Sequence, residues 1–164
     1  MAVRPARPDD VPRLSTFVIQ AWKEAGPDAL GFTGATDEAI KEIASEEFLE
    51  KMLSSPRILM VVAEEDGKII GFSSVRRVKE REAELSGIIV LESATGRGVG
   101  TKLLRKAVGA AKRRGYFSML VKTEVANERA IRFYRRAGFT ESGKVVEKVG
   151  RTKVALRLMV KRLG

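Results

Sequence analysis

The chain has 164 residues, 44% apolar and 32% charged, the size and composition of one globular domain spanning 1–164 whose core needs no covalent staples. It contains no Cys and no His, which excludes disulfides, thiolate nucleophiles, Ser-His-Asp chemistry and Cys- or His-based metal centres. No metal site is expected, and acid–base work falls to Glu, Asp, Tyr or Lys. The formal charge of +10 calls for an anionic partner, whether nucleic acid, an anionic surface or a phosphate-rich small molecule.

No apolar run approaches the ~20 residues that span a bilayer, and the start, Met1-Ala2-Val3-Arg4-Pro5, lacks a signal-peptide core. A cytoplasmic protein without a membrane partner is expected. Val3–Ala6 reads as a short strand. Asp9 or Asp10 then caps a helix to about Glu24, with Val11, Leu14, Phe17, Val18, Ala21 and Trp22 on one stripe and Gly26-Pro27 as its stop. Thr36 and Ser45 are N-caps of one broken or two short helices burying Ile43, Phe48, Leu49, Met52 and Leu53.

The texture then changes. Arg57–Glu64 and Lys68–Val78 read as strands joined by the hairpin signal Asp66-Gly67, and Glu82–Leu91 as a third long strand. A glycine-rich loop opens a helix from Gly98 to Arg114, closed by Gly115. Tyr116–Thr123 is a strand, Asn127–Gly138 a helix, and Phe139–Lys148 with Thr152–Arg162 a terminal hairpin. The order predicts an α/β (α+β) chain: a mixed, mostly antiparallel central sheet flanked by helices, with one parallel strand–helix–strand crossover.

The loop Thr95-Gly96-Arg97-Gly98-Val99-Gly100-Thr101-Lys102 lies between a strand and a helix. Glycines allow close backbone approach, and the helix start offers unpaired N–H groups at the positive end of its dipole. This is an anion cradle suited to a pyrophosphate. It is not a Walker A loop, because Thr101 rather than Lys follows Gly100. Nor is it a dinucleotide fingerprint: Thr101 replaces the last glycine, and the strand Tyr116–Thr123 supplies no acidic residue.

Downstream, Asn127-Glu128-Arg129-Ala130-Ile131-Arg132-Phe133-Tyr134-Arg135-Arg136-Ala137-Gly138-Phe139 could be simply a capped helix with Tyr134 in the core. Together, however, the loop and this helix resemble the GCN5-related N-acetyltransferase family, with its R/Q-x-x-G-x-G/A pyrophosphate loop and N-x-x-A-x-x-F-Y-x-x-x-G-F helix. Thr95 departs from the family's Arg or Gln, which removes one side-chain contact and leaves the backbone amides.

The resemblance implies the family's acyl-CoA N-acyltransferase fold, with acetyl-CoA as co-substrate and an amine as acceptor. It implies that Ile88, Ile89 and Val90 pair with the pantetheine arm, and that Gly96, Arg97, Gly98, Val99, Gly100 and Thr101 hold the pyrophosphate. Asn127 would touch the cofactor near its thiol end, and Tyr134 would lie beside the sulfur as general acid. Arg97, Arg135 and Arg136 suit the outer phosphates, although the two helix arginines could instead form a solvated face. With no His, a carboxylate is the expected base. Glu84 matches the position of the base glutamate in the family's histone-acetylating branch; Glu82 comes second, and a water relay is the other route.

Regular alternation would put Glu82, Glu84, Ser86, Ile88 and Val90 on one face. The same carboxylates could instead pair with Arg76, Arg77, Lys79 or Arg81. The family's ribosomal-protein alanine acetyltransferases carry a glutamate where this chain has Lys122, which counts against that subgroup. Trp22, Phe32 and Phe48 could line an acceptor pocket. Two other classes stay open: a non-catalytic acyl-CoA sensor on the same scaffold, and a basic nucleic-acid-binding module, which charge alone supports. The last hairpin is a candidate edge for a homodimer.

Overall fold

The computed structural model describes residues 1–25, 36–149 and 151–164. Apolar, β-branched runs form the strands β1 (Ala2–Pro5), β2 (Ile58–Glu65), β3 (Lys68–Lys79), β4 (Glu82–Val90), β5 (Ser118–Glu124), β6 (Thr140–Val149) and β7 (Thr152–Arg162). They build one sheet in the order β1-β2-β3-β4-β5-β7-β6. Every pairing is antiparallel except β4 with β5, the crossover that the element order predicts. Asp66 and Gly67, both at positive φ, make the tight turn between β2 and β3.

The helices are α1 (Val11–Ala25), α2 (Asp37–Ile43), α3 (Glu46–Ser54), α4 (Val99–Arg113) and α5 (Glu128–Arg136). Thr36 and Ser45 do cap α2 and α3, their hydroxyls accepting from the N–H of Ala39 and Phe48. α4 crosses one face of the sheet so closely that a Cβ on Gly71 would come within 2.9 Å of Leu103 and 3.0 Å of Val99. On the other face, Asp10 is fully buried and ties α1 to the strands: it accepts from the guanidinium groups of Arg4 and Arg13 and from the N–H of Arg7. Both arginines also reach Glu64.

Three expectations are corrected. Ile43 is exposed, and Ile40 with Ala44 take its place in the core; α2 ends at Ile43 after only seven residues, so the turn into α3 swings that side chain outward. Asp10 does not cap α1 but sits in a 3-10 turn, Pro8–Asp10, its carboxylate spent on the arginines.

The third correction bears on the site. Val75 faces Leu85 while the adjacent Ser74 faces Gly87, so Ser86 is an extra residue, a β-bulge made possible by Gly87 at φ +147°. Side-chain parity flips there. Glu82 and Glu84 share their face with Ile89, whereas Ile88 and Val90 belong to the α4 face. The expected stop at Gly26-Pro27 and the pocket residue Phe32 lie outside the described residues.

Candidate active site

The parallel β4–β5 ladder is short, running from Glu82↔Ser118 to Leu85↔Val121. Beyond the bulge no β4 residue pairs with β5, while β5 continues against β7 to Glu124↔Leu156. The two strands therefore part, leaving backbone polar groups of β4 on that side without strand partners.

A cavity of about 700 Å³ opens at this split. Its lining brings together Ile88, Ile89 and Val90 from β4, Gly96, Gly98, Val99, Gly100 and Thr101 from the glycine loop, and Asn127 at the head of α5. The loop owes its shape to Gly98, whose φ of +79° places the chain in the left-handed region just before α4. The first helical bond across the loop runs from Lys102 N–H to Gly98 O at 3.1 Å, so the N–H groups ahead of it have no helical acceptor. No carboxylate occupies the first turn of α4, and among the described residues nothing but the chain neighbours lies within 4 Å of where a Cβ of Gly96 or Gly98 would stand.

Not every expected contact gathers there. Arg97 is drawn away into an ion pair with Glu65 at the end of β2, and Arg135 pairs with Glu141 at 3.7 Å. Arg136 does line the cavity, joined by Phe133 and Arg129 one and two turns earlier on the same face of α5. Arg129 had a legible signal, since 129, 133 and 136 share a helix face. Glu24 and Glu92 also line it, linked by a 2.9 Å bond from Glu92 N–H to the Glu24 carboxylate. Thr95 turns its hydroxyl onto Glu92 O at 2.7 Å, closing the turn.

Asn127 Oδ1 accepts from Ala130 N–H at 3.1 Å, so its oxygen caps α5 while the residue lines the cavity. Tyr134 is only 2% exposed, packed edge-on against Phe133 and Phe139, and is not part of the lining. Its hydroxyl makes no hydrogen bond to a described residue, and burial pushes its pKa up, so the phenol stays protonated at any ordinary pH. Trp22 donates from Nε1 to Asp37 at 2.6 Å; neither it nor the half-buried Phe48 lines the cavity.

Glu84 and Glu82 lie across the sheet from α4. Glu84 is buried, with Oε1 on Arg76 at 2.5 Å and Oε2 facing Lys122 at 3.6 Å. Lys122 in turn reaches Glu147 at 2.5 Å. Glu82 accepts from the Ser118 hydroxyl at 3.5 Å.

The site thus pairs a helix-start anion cradle and two arginines with a strand split, a protonated phenol behind it and carboxylates beyond. Residues 19–139 match the model of the Acetyltransferase (GNAT) family. The chain is a GNAT acetyltransferase. An uncharacterized N-acetyltransferase of Mycobacterium tuberculosis is 28% identical to this GNAT chain over 134 residues, 82% of this chain and 85% of the relative. An aminoglycoside N(6')-acetyltransferase type 1 of Klebsiella aerogenes is 30% identical over 150 residues, 87% and 91% of the two chains. Among solved structures, the PaiA N-acetyltransferase of Thermoplasma acidophilum, in complex with coenzyme A, aligns with a TM-score of 0.71 at 22% identity over 99% of both chains. That likeness is one of fold.

The residues present fit an acyl-CoA. Its pyrophosphate needs backbone donors with room for close approach, and the glycine loop supplies both. Its outer phosphates need cations, and Arg129 and Arg136 stand in the same cavity.

Proposed function

We propose that this GNAT chain is an acetyl-CoA-dependent N-acetyltransferase acting on a primary amine, of a small molecule or a peptide, by direct attack. Acetyl-CoA supplies an activated acetyl group on a thiol leaving group. The observation that carries the reading is the conjunction of the open helix-start cradle with the β4–β5 split, both lining one cavity. In it, the amides from Gly96 to Thr101 hold the pyrophosphate. The backbone of Ile88, Ile89 and Val90, released from β5, pairs with the extended arm and aims the thioester into the split.

Tyr134 donates a proton to the departing sulfur; a buried phenol held in its protonated form suits that task. The amine enters from the face opposite α4, where Glu84 and Glu82 lie. Because each Glu84 oxygen already faces a cation, Glu84 takes the amine's proton through water rather than by direct contact, with Glu82 behind it. A non-catalytic sensor would need neither the phenol nor the carboxylate. Among named relatives, the Klebsiella enzyme acts on an aminoglycoside, which supports including polycationic small amines in any search for the acceptor.

Calorimetry with acetyl-CoA, followed by thiol release across a panel of amines, peptides and polyamines, tests the reading. Acceptor-dependent release is expected. Tight uptake without turnover would favour the sensor, and no uptake at all would remove the acetyl-CoA reading.

A further inference from the structure

Lys122 is an amine that the reaction above leaves unused, and its position is particular. It is the first residue of β5 beyond Leu85↔Val121, the last pair that β5 makes with β4. It lies on the face away from α4, with its side chain 26% exposed. Its Nζ stands 2.5 Å from Glu147 on β6 and 3.6 Å from Glu84 on β4, so the side chain lies along that face of the sheet beside the end of the β4–β5 ladder. Arg76 on β3 holds the other oxygen of Glu84. Neither β4 nor β5 carries another lysine.

We infer that Lys122 is itself an acetyl acceptor, modified by the acetyl-CoA bound to its own molecule when no outside amine occupies the split. The inference rests on the acetyl-CoA reading above. The ammonium first gives a proton to the Glu147 carboxylate, which is 41% exposed and passes it to water. The freed Nζ lone pair forms the new C–N bond to the acetyl carbon as the C–S bond breaks. Of the two protons the nitrogen gives up, one ends on the free thiol and the other in solvent. The product is a neutral amide, so Glu84 keeps Arg76 but loses its second cation.

The full chain, incubated with acetyl-CoA and no amine, is digested and mapped by mass spectrometry. One acetyl group is expected on Lys122, formed with a half-time independent of protein concentration. It should appear roughly tenfold or more faster than on the exposed Lys51 and Lys68, as holding the reactants together predicts. Unfolding the chain by heat beforehand should erase that preference, and Lys122→Arg should abolish the label while acetyl-CoA uptake by calorimetry persists. An unmodified Lys122 in a chain that binds acetyl-CoA normally would overturn the inference and leave the acetyl-CoA reading standing. Labelling of Lys122 no faster than Lys51 would overturn it equally. Failure of the native chain to take up acetyl-CoA would overturn both.

Discussion

Asp10 shows how much a single carboxylate can carry. It is fully buried, yet it accepts from Arg4, Arg13 and a backbone amide, and hydrogen bonding from Arg4 leads in pulling its pKa down to about 2. A carboxyl whose folded pKa is depressed stabilises the fold above its unfolded value of ~3.9 and loses that contribution as pH falls toward the folded value. The shift corresponds to about 2 kcal/mol. Asp10→Asn should therefore lower Tm at pH 7, and the gap from the native chain should close between pH 4 and pH 2. Melting curves that stay parallel down to pH 2 would show that the carboxylate's charge is not what matters. Tyr134 poses a functional question at the same scale. If its proton goes to the sulfur, Tyr134→Phe should lower kcat by ~10²–10⁴-fold with little change in acetyl-CoA affinity, a split that steady-state kinetics beside calorimetry resolves.

Among the elements, α4 and β4 make the site. α4 has a buried stripe of Val99, Leu103, Leu104, Ala107 and Ala111 that seats it on the sheet with its N-terminus at the cavity. Gly98 sets the approach of the loop to that N-terminus. Gly98→Ala forces a Cβ into a left-handed residue at a cost of roughly 1–2 kcal/mol. It should raise the acetyl-CoA Kd while the CD spectrum of the folded state is kept; an unchanged Kd would count against the cradle. β4 taught the opposite lesson about reading patterns. Its hydrophobic alternation EAELSGIIV suggests one continuous face, and the bulge at Ser86-Gly87 breaks it. A glycine inside a strand is the signal that could have warned of this. The loop and α5 were legible because their cues are local: glycine spacing, an Asn cap and a helical period. Of the ion chain Arg76–Glu84–Lys122–Glu147, the Arg76 link was among the pairings the sequence offered; the links to Lys122 and Glu147 were not, since they reach across to β5 and β6 and depend on register.

Over the whole molecule, charge is unevenly placed. Residues 57–164 carry 25 of the 31 basic residues but only 11 of the 21 acidic ones, and the cradle with Arg129 and Arg136 lies within that stretch. A field of that sign should steer a polyanionic co-substrate toward the cavity. Stopped-flow association of acetyl-CoA should slow by about tenfold between low salt and 0.5 M NaCl, where screening shortens the reach of the field. A rate indifferent to salt would mean that only contacts inside the cavity matter.

The amino-acid order alone determined which elements form, the glycine loop that opens α4, the absence of thiol and imidazole chemistry and the family likeness, because each is written in neighbouring residues or in composition. Only the tertiary structure decided which side chains meet. It removed Arg97 and Arg135 to Glu65 and Glu141, brought in Arg129, set Glu84 between two cations and turned Ile88 and Val90 to the other face. These outcomes depend on strand register, one inserted residue and the competition among nearby charges, quantities that exist only once distant segments are packed together.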